Sequence, residues 1–337
     1  MGTATACGYV RDHARAILIL IIFASFLSYV QYVGQVTTFS IGNLLPQSMT
    51  AVSNVTMKNE LLLTIATSFD DPYYLWTLVR SFRDANGDAQ IVVFVPQEQE
   101  QSPNLITMAD LANLTVVSYP MANMVVNDRF KLWLEFLRAR PAMYDDVITV
   151  DARDVYFQQD PFRQCKIFEM SDESCRFAIA REDQRYVSVD DPNVKRCYGE
   201  EAAHQMGIYN LLNAGFLAGS QKGIVLVFER LVRELETRGS SCLDQVILND
   251  LIWNRHFEPE CHIRIEPDSQ SCIATLGILY NHYPDTAWLW QGKNDTNSIL
   301  GIHGDDTPVA AVHMYDRNAK HLEYVRRRWP WPPSSTT

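Results

Sequence analysis

The chain has 337 residues, a formal net charge of −11 at pH 7, 47% hydrophobic residues and 20% charged residues. That balance belongs to a folded globular protein and excludes a globally disordered chain. The acidic surplus argues against a nucleic-acid partner, whose phosphates demand cationic patches.

Residues 16–33, AILILIIFASFLSYVQYV, carry no charge. About 20 apolar residues span a bilayer core, so this run reads as a short transmembrane signal anchor. Arg11 and Arg15 precede it and the next basic residue is Lys58. By the positive-inside rule, residues 1–15 form a cytosolic tail and everything after Val33 is lumenal. A cleaved signal peptide fits less well, because the run is long and no small-x-small cleavage site follows it. Residues 34–60 are polar and read as a stem.

From residue 61 the pattern changes. LLLTIATSF (61–69) reads as a buried strand, PYYLWTLVRSFRDA (72–85) as a helix, and 89–96 and 113–120 as two further strands. NDRFKLWLEFLRAR (127–140) has the spacing of an amphipathic helix, with Asp128 as N-cap and Pro141 beyond its end. DDVITVDARDVYF (145–157) reads as a fourth strand running into a turn. Apolar runs alternating with helices predict an α/β domain with a mostly parallel central sheet flanked by helices. Later strands are expected at 177–182, 211–220, 262–267 and 309–315, and helices at 222–238 and 243–254. No linker divides 61–325, so it reads as one domain, followed by a flexible tail at 326–337.

Of the seven cysteines, Cys7 falls in the expected cytosolic tail. The other six, Cys165, Cys175, Cys197, Cys242, Cys261 and Cys272, can form three disulfides in an oxidising compartment, with fifteen connectivities open. Sequons at Asn54, Asn113 and Asn294 fit the same secretory setting.

The sharpest chemical segment is VITVDARDVYFQQDPF (147–162). A buried strand ends in Asp151 and Asp154 where the chain leaves the sheet, which is where open α/β sheets bind ligands. Two carboxylates there can hold a hard divalent cation that bridges phosphates. A solvated acidic turn is the plain alternative.

Five segments in order, DRFKLWLEF (128–136), VDARD (150–154), LNAGF (212–216), LDQVILN (243–249) and VHMYDRN (312–318), resemble the GT-A glycosyltransferases, which have the nucleotide-diphospho-sugar transferase fold. The order is most similar to the glycogenin-like branch. The resemblance implies a GT-A-like catalytic domain with a divalent metal, Mn²⁺ by its mixed ligands, on Asp151, Asp154 and His313. It further implies donor contacts from Arg129, Lys131, Arg153, Asn213, Gly215, Arg317 and Lys320. Asp244 and Gln245 would face the transferred sugar and the acceptor. Glu182 and Asp183, after the strand FAIAR, are further acidic candidates by their position. Plainer roles stand against these: a solvated helix face for Arg129 and Lys131, a strand-end turn for Asn213 and Gly215, a helix cap for Asp244.

The family motif is Asp-x-Asp, whereas this chain has Asp151-Ala-Arg-Asp154. Residues three apart on a strand do not share a face, so a common metal requires a curl at Ala152–Arg153. Otherwise Arg153 meets the diphosphate directly. The curled site is the expectation, because the late histidine is present.

The implied activity is transfer of a hexosyl or pentosyl group from a nucleotide sugar to a glycan, glycoprotein or glycolipid. The implied location is the Golgi or ER membrane, as a type II protein. The branch implies retention, while an inverting reaction would need one carboxylate as base, Asp244 or Asp183. A non-catalytic lumenal binding or scaffolding protein on the same fold is the alternative. A nucleotidyltransferase fits poorly with the anchor and sequons.

Overall fold

The computed structural model describes residues 58–67, 71–120, 125–170, 175–182, 192–206, 209–266, 272–276 and 308–331. The expected tail 1–15, anchor 16–33, stem residues 34–57, sequons at Asn54 and Asn294, and Asp183 lie outside the described residues. Among those described, no helix is long and apolar enough to cross a membrane.

The strands are β1 (Glu60–Ile65), β2 (Gln90–Pro96), β3 (Leu114–Tyr119), β4 (Asp146–Asp151), β5 (Val155–Phe157), β6 (Arg176–Arg181), β7 (Leu212–Ser220), β8 (His262–Glu266), β9 (Ile273–Thr275) and β10 (Ala311–His313). The helices are α1 (Tyr73–Ala85), α2 (Pro103–Ala112), α3 (Val125–Arg138), α4 (Pro161–Gln164), α5 (Pro192–Tyr198), α6 (Glu200–Met206), α7 (Gln221–Arg238), α8 (Asp244–Trp253) and α9 (Ala319–Arg328). Seven strands form one sheet in the order β3-β2-β1-β4-β7-β6-β8, and β5-β10-β9 form a small second sheet. In the large sheet β7 alone runs antiparallel to its neighbours, β4 and β6. The mostly parallel α/β architecture is therefore as expected.

The continuous apolar strands are explained by burial on both faces. Leu61, Leu63 and Ile65 of β1 enter a core shared with α3, α7 and α8, while Leu62 enters the core on the opposite face with α1 and α2. β2 divides in the same way, Val92 and Phe94 to one side and Ile91, Val93 and Val95 to the other. A third cluster joins the small sheet to α9 through Tyr156, Val312, Tyr315, Val325 and Trp329.

All six cysteines after Cys7 are paired: Cys165–Cys272, Cys175–Cys261 and Cys197–Cys242. The second bridge joins the entries to β6 and β8, and the third joins α5 to the residue pair before α8.

Three boundaries differ from expectation. The run 145–157 is two strands in different sheets, because the chain turns at Ala152–Asp154 and β5 pairs with β10 instead. The expected strand 309–315 contracts to Ala311–His313, after which Met314 adopts a left-handed conformation. The expected tail is folded as far as Trp331. Trp329 is buried and its Nε1 donates to Asp84 Oδ2 at 2.9 Å, Trp76 Nε1 donates to the Pro330 carbonyl at 2.8 Å, and the Trp331 ring meets Trp76 edge-on at 5.4 Å. Large indoles with satisfied N–H groups hold a segment that its charge and prolines suggest is loose. At the other end of this described stretch, Lys58 Nζ meets the buried Asp146 carboxylate at 2.9 Å.

Candidate functional site

Three chain segments meet at one edge of the large sheet. β4 runs parallel to β1 and ends at Asp151, level with Ile65. β7 runs the opposite way, so its first residues, not its last, lie at that edge. The β6–β7 ladder slips there: Ile179 pairs with Leu217 but Ala180 pairs with Asn213, leaving Ala214–Phe216 bulged out of the pairing. The small sheet supplies the third piece, His313 opposite Val155. Between them lies a cavity of about 700 Å³ lined by residues of β1, the β4–β5 turn, β7, α1, α3, α8 and the His313 segment.

Asp151, Asp154 and His313 line one wall, with ligand atoms all within 4.8 Å of one another. The turn at Ala152–Arg153 brings the two carboxylates to the same side, as the curled arrangement requires. His313 Nε2 is 3.3 Å from Asp154 Oδ1 and 3.9 Å from Asp151 Oδ2. The closer approach is not a hydrogen bond, because Asp154 Oδ1 and both ring nitrogens of His313 are buried without a hydrogen-bond partner. Orphaned buried polar atoms are costly, and two of these, Asp154 Oδ1 and His313 Nε2, face each other. Bonds of about 2.0–2.1 Å to an octahedral ion place adjacent ligand atoms about 3 Å apart, so the spacing fits a divalent cation. A Cβ at Gly215 would lie 2.7 Å from Asp151 Oδ2 and 2.8 Å from His313 Nε2. Glycine thus keeps open the space that two of the ligands face.

The electrostatics point the same way. Burial disfavours the His313 imidazolium, but Asp154, Asp151 and Glu182 outweigh it and raise its pKa. Burial pushes Asp154 up, but His313, Arg317 and Arg153 bring it below the ordinary carboxylate value. The cluster therefore attracts positive charge, a proton or a metal ion competing for one place.

Arg129 stands behind this wall. Its guanidinium is buried, donating to Asp151 Oδ1 through one nitrogen and to Asp244 Oδ2 at 2.6 Å through the other. Burial lowers the Arg129 pKa, yet the two aspartates raise it overall. Burial raises Asp244, and Arg129 offsets only part of that. Asp244 opens α8 with its backbone N–H on Asn127 Oδ1 at 3.2 Å. Gln245 lines the cavity beside it, and its Nε2 donates to Glu182 Oε1 at 3.0 Å and to the Leu212 carbonyl at 2.9 Å. Asn213 is buried; its Nδ2 donates to Glu182 Oε1 at 2.7 Å and its Oδ1 accepts from Gly215 N at 2.6 Å.

Other expected residues lie further out. Arg153 lines the cavity but is exposed, its Nε 3.3 Å from Asp316 Oδ2 and its guanidinium 5.5 Å from the Tyr74 ring centre. Arg317 is half-exposed, 3.9 Å from Asp154 Oδ2, and does not line the cavity. Lys320 is exposed at the start of α9, also outside the lining. Lys131 is a correction: it pairs with Glu236 at 3.3 Å on the solvent side of α3, away from the cavity. Two residues of helix turn by about 200°, so Arg129 and Lys131 cannot share a face.

Ile65–Thr67 and Tyr74, which no motif marks, also line the cavity, from the end of β1 and the start of α1. A signal was available, because ligands gather at the carboxyl ends of parallel strands and β1 ends there. Of the two acidic candidates after β6, Glu182 is the one the structure describes, and its contacts with Asn213 and Gln245 make it central.

No protein-family model matches the sequence, and no curated protein matches it. Solved structures do match: the chain is similar in structure to the galactosyltransferase LgtC, crystallised with donor and acceptor sugar analogs, at 14% identity and a TM-score of 0.50, over 81% of this chain and 98% of that one. At that identity the likeness is one of fold, and it gives this chain the GT-A fold.

Proposed function

We propose that this chain is a glycosyltransferase that moves a sugar, hexosyl or pentosyl, from a nucleotide-diphosphate donor to a hydroxyl of a glycan, glycoprotein or glycolipid. The observation that carries this reading is the convergence of Asp151, Asp154 and His313, with orphaned buried ligand atoms, on a cavity of about 700 Å³ in a GT-A fold. The three side chains would hold a divalent cation, and their mixture of carboxylate and imidazole suits Mn²⁺ better than Ca²⁺. When bound, such an ion supplies Lewis-acid stabilisation of charge on the departing diphosphate.

The chain's own residues do the rest. Arg153 and Arg317 add fixed positive charge on the open side of the acidic cluster, with Lys320 in the first turn of α9 beyond them, where a diphosphate would leave. Gly215 gives the ligand room against the wall, and Arg129 holds Asp151 and Asp244 in place without itself being free to titrate. The acceptor hydroxyl would attack the anomeric carbon from the side of α8, where Asp244 and Gln245 sit. The motif order of the glycogenin-like branch supports retention of configuration.

The setting proposed is the lumen of the Golgi or ER, with residues 16–33 as a type II anchor. Arg11 and Arg15 support the orientation, and three disulfides suit an oxidising compartment. The test is a screen of the purified full-length chain against nucleotide sugars with Mn²⁺, reading release of free nucleotide. The expected result is donor-dependent release that EDTA stops and added Mn²⁺ restores. The absence of both binding and release with every nucleotide sugar tried would overturn the reading.

A further inference from the structure

Glu182 does not line the cavity, yet it touches two residues that do. It is buried at the end of β6, and its Oε1 accepts both Asn213 Nδ2 at 2.7 Å and Gln245 Nε2 at 3.0 Å. The second hydrogen on Gln245 Nε2 goes to the Leu212 carbonyl at 2.9 Å. Both donors of the amide are therefore committed to the protein. Turning the amide over would set its oxygen against two acceptors, Glu182 Oε1 and the Leu212 carbonyl, so this orientation is fixed. What Gln245 offers the cavity is its carbonyl oxygen, an acceptor and never a donor.

The same carboxylate oxygen orients Asn213. With Nδ2 on Glu182, the Asn213 Oδ1 must turn to the backbone, where it takes the Gly215 N–H at 2.6 Å. That bond holds the bulged Ala214–Gly215 segment against Asp151 and His313. One buried carboxylate thus governs a hydroxyl-reading group on one side and the metal-binding wall on the other.

We propose that Glu182 is a positioning residue for the transfer reaction, locking the Gln245 amide with its oxygen toward the sugar and the Gly215 segment toward the cation site. The proposal rests on the glycosyltransferase reading of the cavity. A fixed acceptor at that place takes a hydrogen bond from a sugar hydroxyl and stabilises positive charge developing on the ring. Because Glu182 acts as an acceptor, its shape matters more than its charge.

Two variants separate those roles. Glu182→Gln keeps a carbonyl oxygen in place for both amides. Glu182→Asp keeps the charge but withdraws it by about 1.5 Å, one carbon–carbon bond. The expected result is kcat near wild type for the Gln variant and at least tenfold lower for the Asp variant, with donor KM within threefold in both. The reverse order, Asp active and Gln inactive, would overturn the proposal by making charge the essential property. Equal activity of both would overturn it too. A readout independent of activity is the side-chain amide spectrum of protein carrying ¹⁵N-labelled Gln. The Gln245 amide protons should exchange slowly in the wild type and the Gln variant, and fast in the Asp variant. Fast exchange in the wild type refutes the lock. A protected amide in a wild type that turns over no nucleotide sugar refutes the transferase reading, and with it the reaction role assigned to Glu182, while leaving the lock itself observed.

Discussion

The Arg129 guanidinium and the Asp151 carboxylate form an ion pair behind the cavity wall, and the free end of the same guanidinium closes on Asp244. One cation thus joins a residue of β4 to a residue of α8. Removing it leaves two carboxylates facing each other, one of them buried. Arg129→Met should therefore destabilise the fold by about 3–5 kcal/mol, read as a shift of the urea midpoint. Arg129→Lys carries the charge but cannot fork to two partners, and should fall between.

Gly215→Ala tests the cation site without removing a ligand. The added Cβ would meet Asp151 Oδ2 and the His313 ring at under 3 Å, and the ring is too deeply buried to give way. Mn²⁺ affinity should fall at least tenfold, about 1.4 kcal/mol, and the overpacking should itself cost about 1–3 kcal/mol of stability. Gly87→Ala, where nothing lies within 4 Å of the new Cβ, is the control and should bind as wild type. Calorimetric titration of Mn²⁺ into each protein decides it.

His321 predicts an acid dependence of stability remote from the cation site. Burial holds its pKa down to about 3, and its Nε2 lies 2.8 Å from the Tyr156 hydroxyl. In the unfolded chain the group titrates near 6.5. Between these values the unfolded state takes up a proton that the native state refuses, so the contribution is complete above pH 6.5 and is lost as pH falls toward 3. Wild type should therefore lose about 3 kcal/mol more than His321→Gln between pH 7 and pH 4. Equal losses in parallel denaturation series would refute this.

The disulfides predict a thiol count. With six cysteines paired, alkylation of the native, unreduced protein should label no cysteine other than Cys7. Replacing Cys197 and Cys242 together with serine opens a loop of 45 residues next to Asp244 and should cost about 2–4 kcal/mol.

Asn113 gives a test of compartment. It ends α2 in a left-handed conformation and is exposed, with Thr115 exposed two residues on. Expression in a eukaryotic secretory host should yield glycan at Asn113, seen as a mass shift on endoglycosidase treatment. An unmodified Asn113 peptide in protein whose other sequons are modified would show that this turn is not accepted. No glycan at any of the three would count against the lumenal setting.

The parts of the fold legible in the sequence are those where one physical signal dominates. β1, β2 and β4 are buried on both faces, and such strands announce themselves as apolar runs. α3 and α7 carry one apolar stripe each. α2 escaped because Ile106 and Leu111 are exposed apolar residues that blur its stripe, and β9 because three residues are too few to show a period. At the site, Asp151, Asp154 and His313 were legible by motif order, and the curl between the aspartates followed from strand geometry. Arg129 was harder to separate from Lys131, since both are basic residues on one helix. The distinction was present in the apolar spacing, because Arg129 stands four residues before buried Trp133 and Lys131 does not. The role of Glu182 was not legible, because it depends on which amide hydrogens are already committed. Disulfide connectivity was not legible for the same kind of reason: it is a property of distances across the fold.

β10 lies between β5 and β9, and it reaches its place only after some 150 further residues have followed β5 in the chain. During synthesis, a nascent chain ending after β8 already contains every strand of the large sheet, both aspartates of the curled turn and the Arg129 strut. It lacks His313 and the strand that carries it. Such a chain holds two of the three side chains grouped at the cavity wall, and the third arrives with the last of the described strands. Chain fragments ending at residue 270 should therefore bind Mn²⁺ more weakly than fragments that extend through Trp331, as read by calorimetric titration.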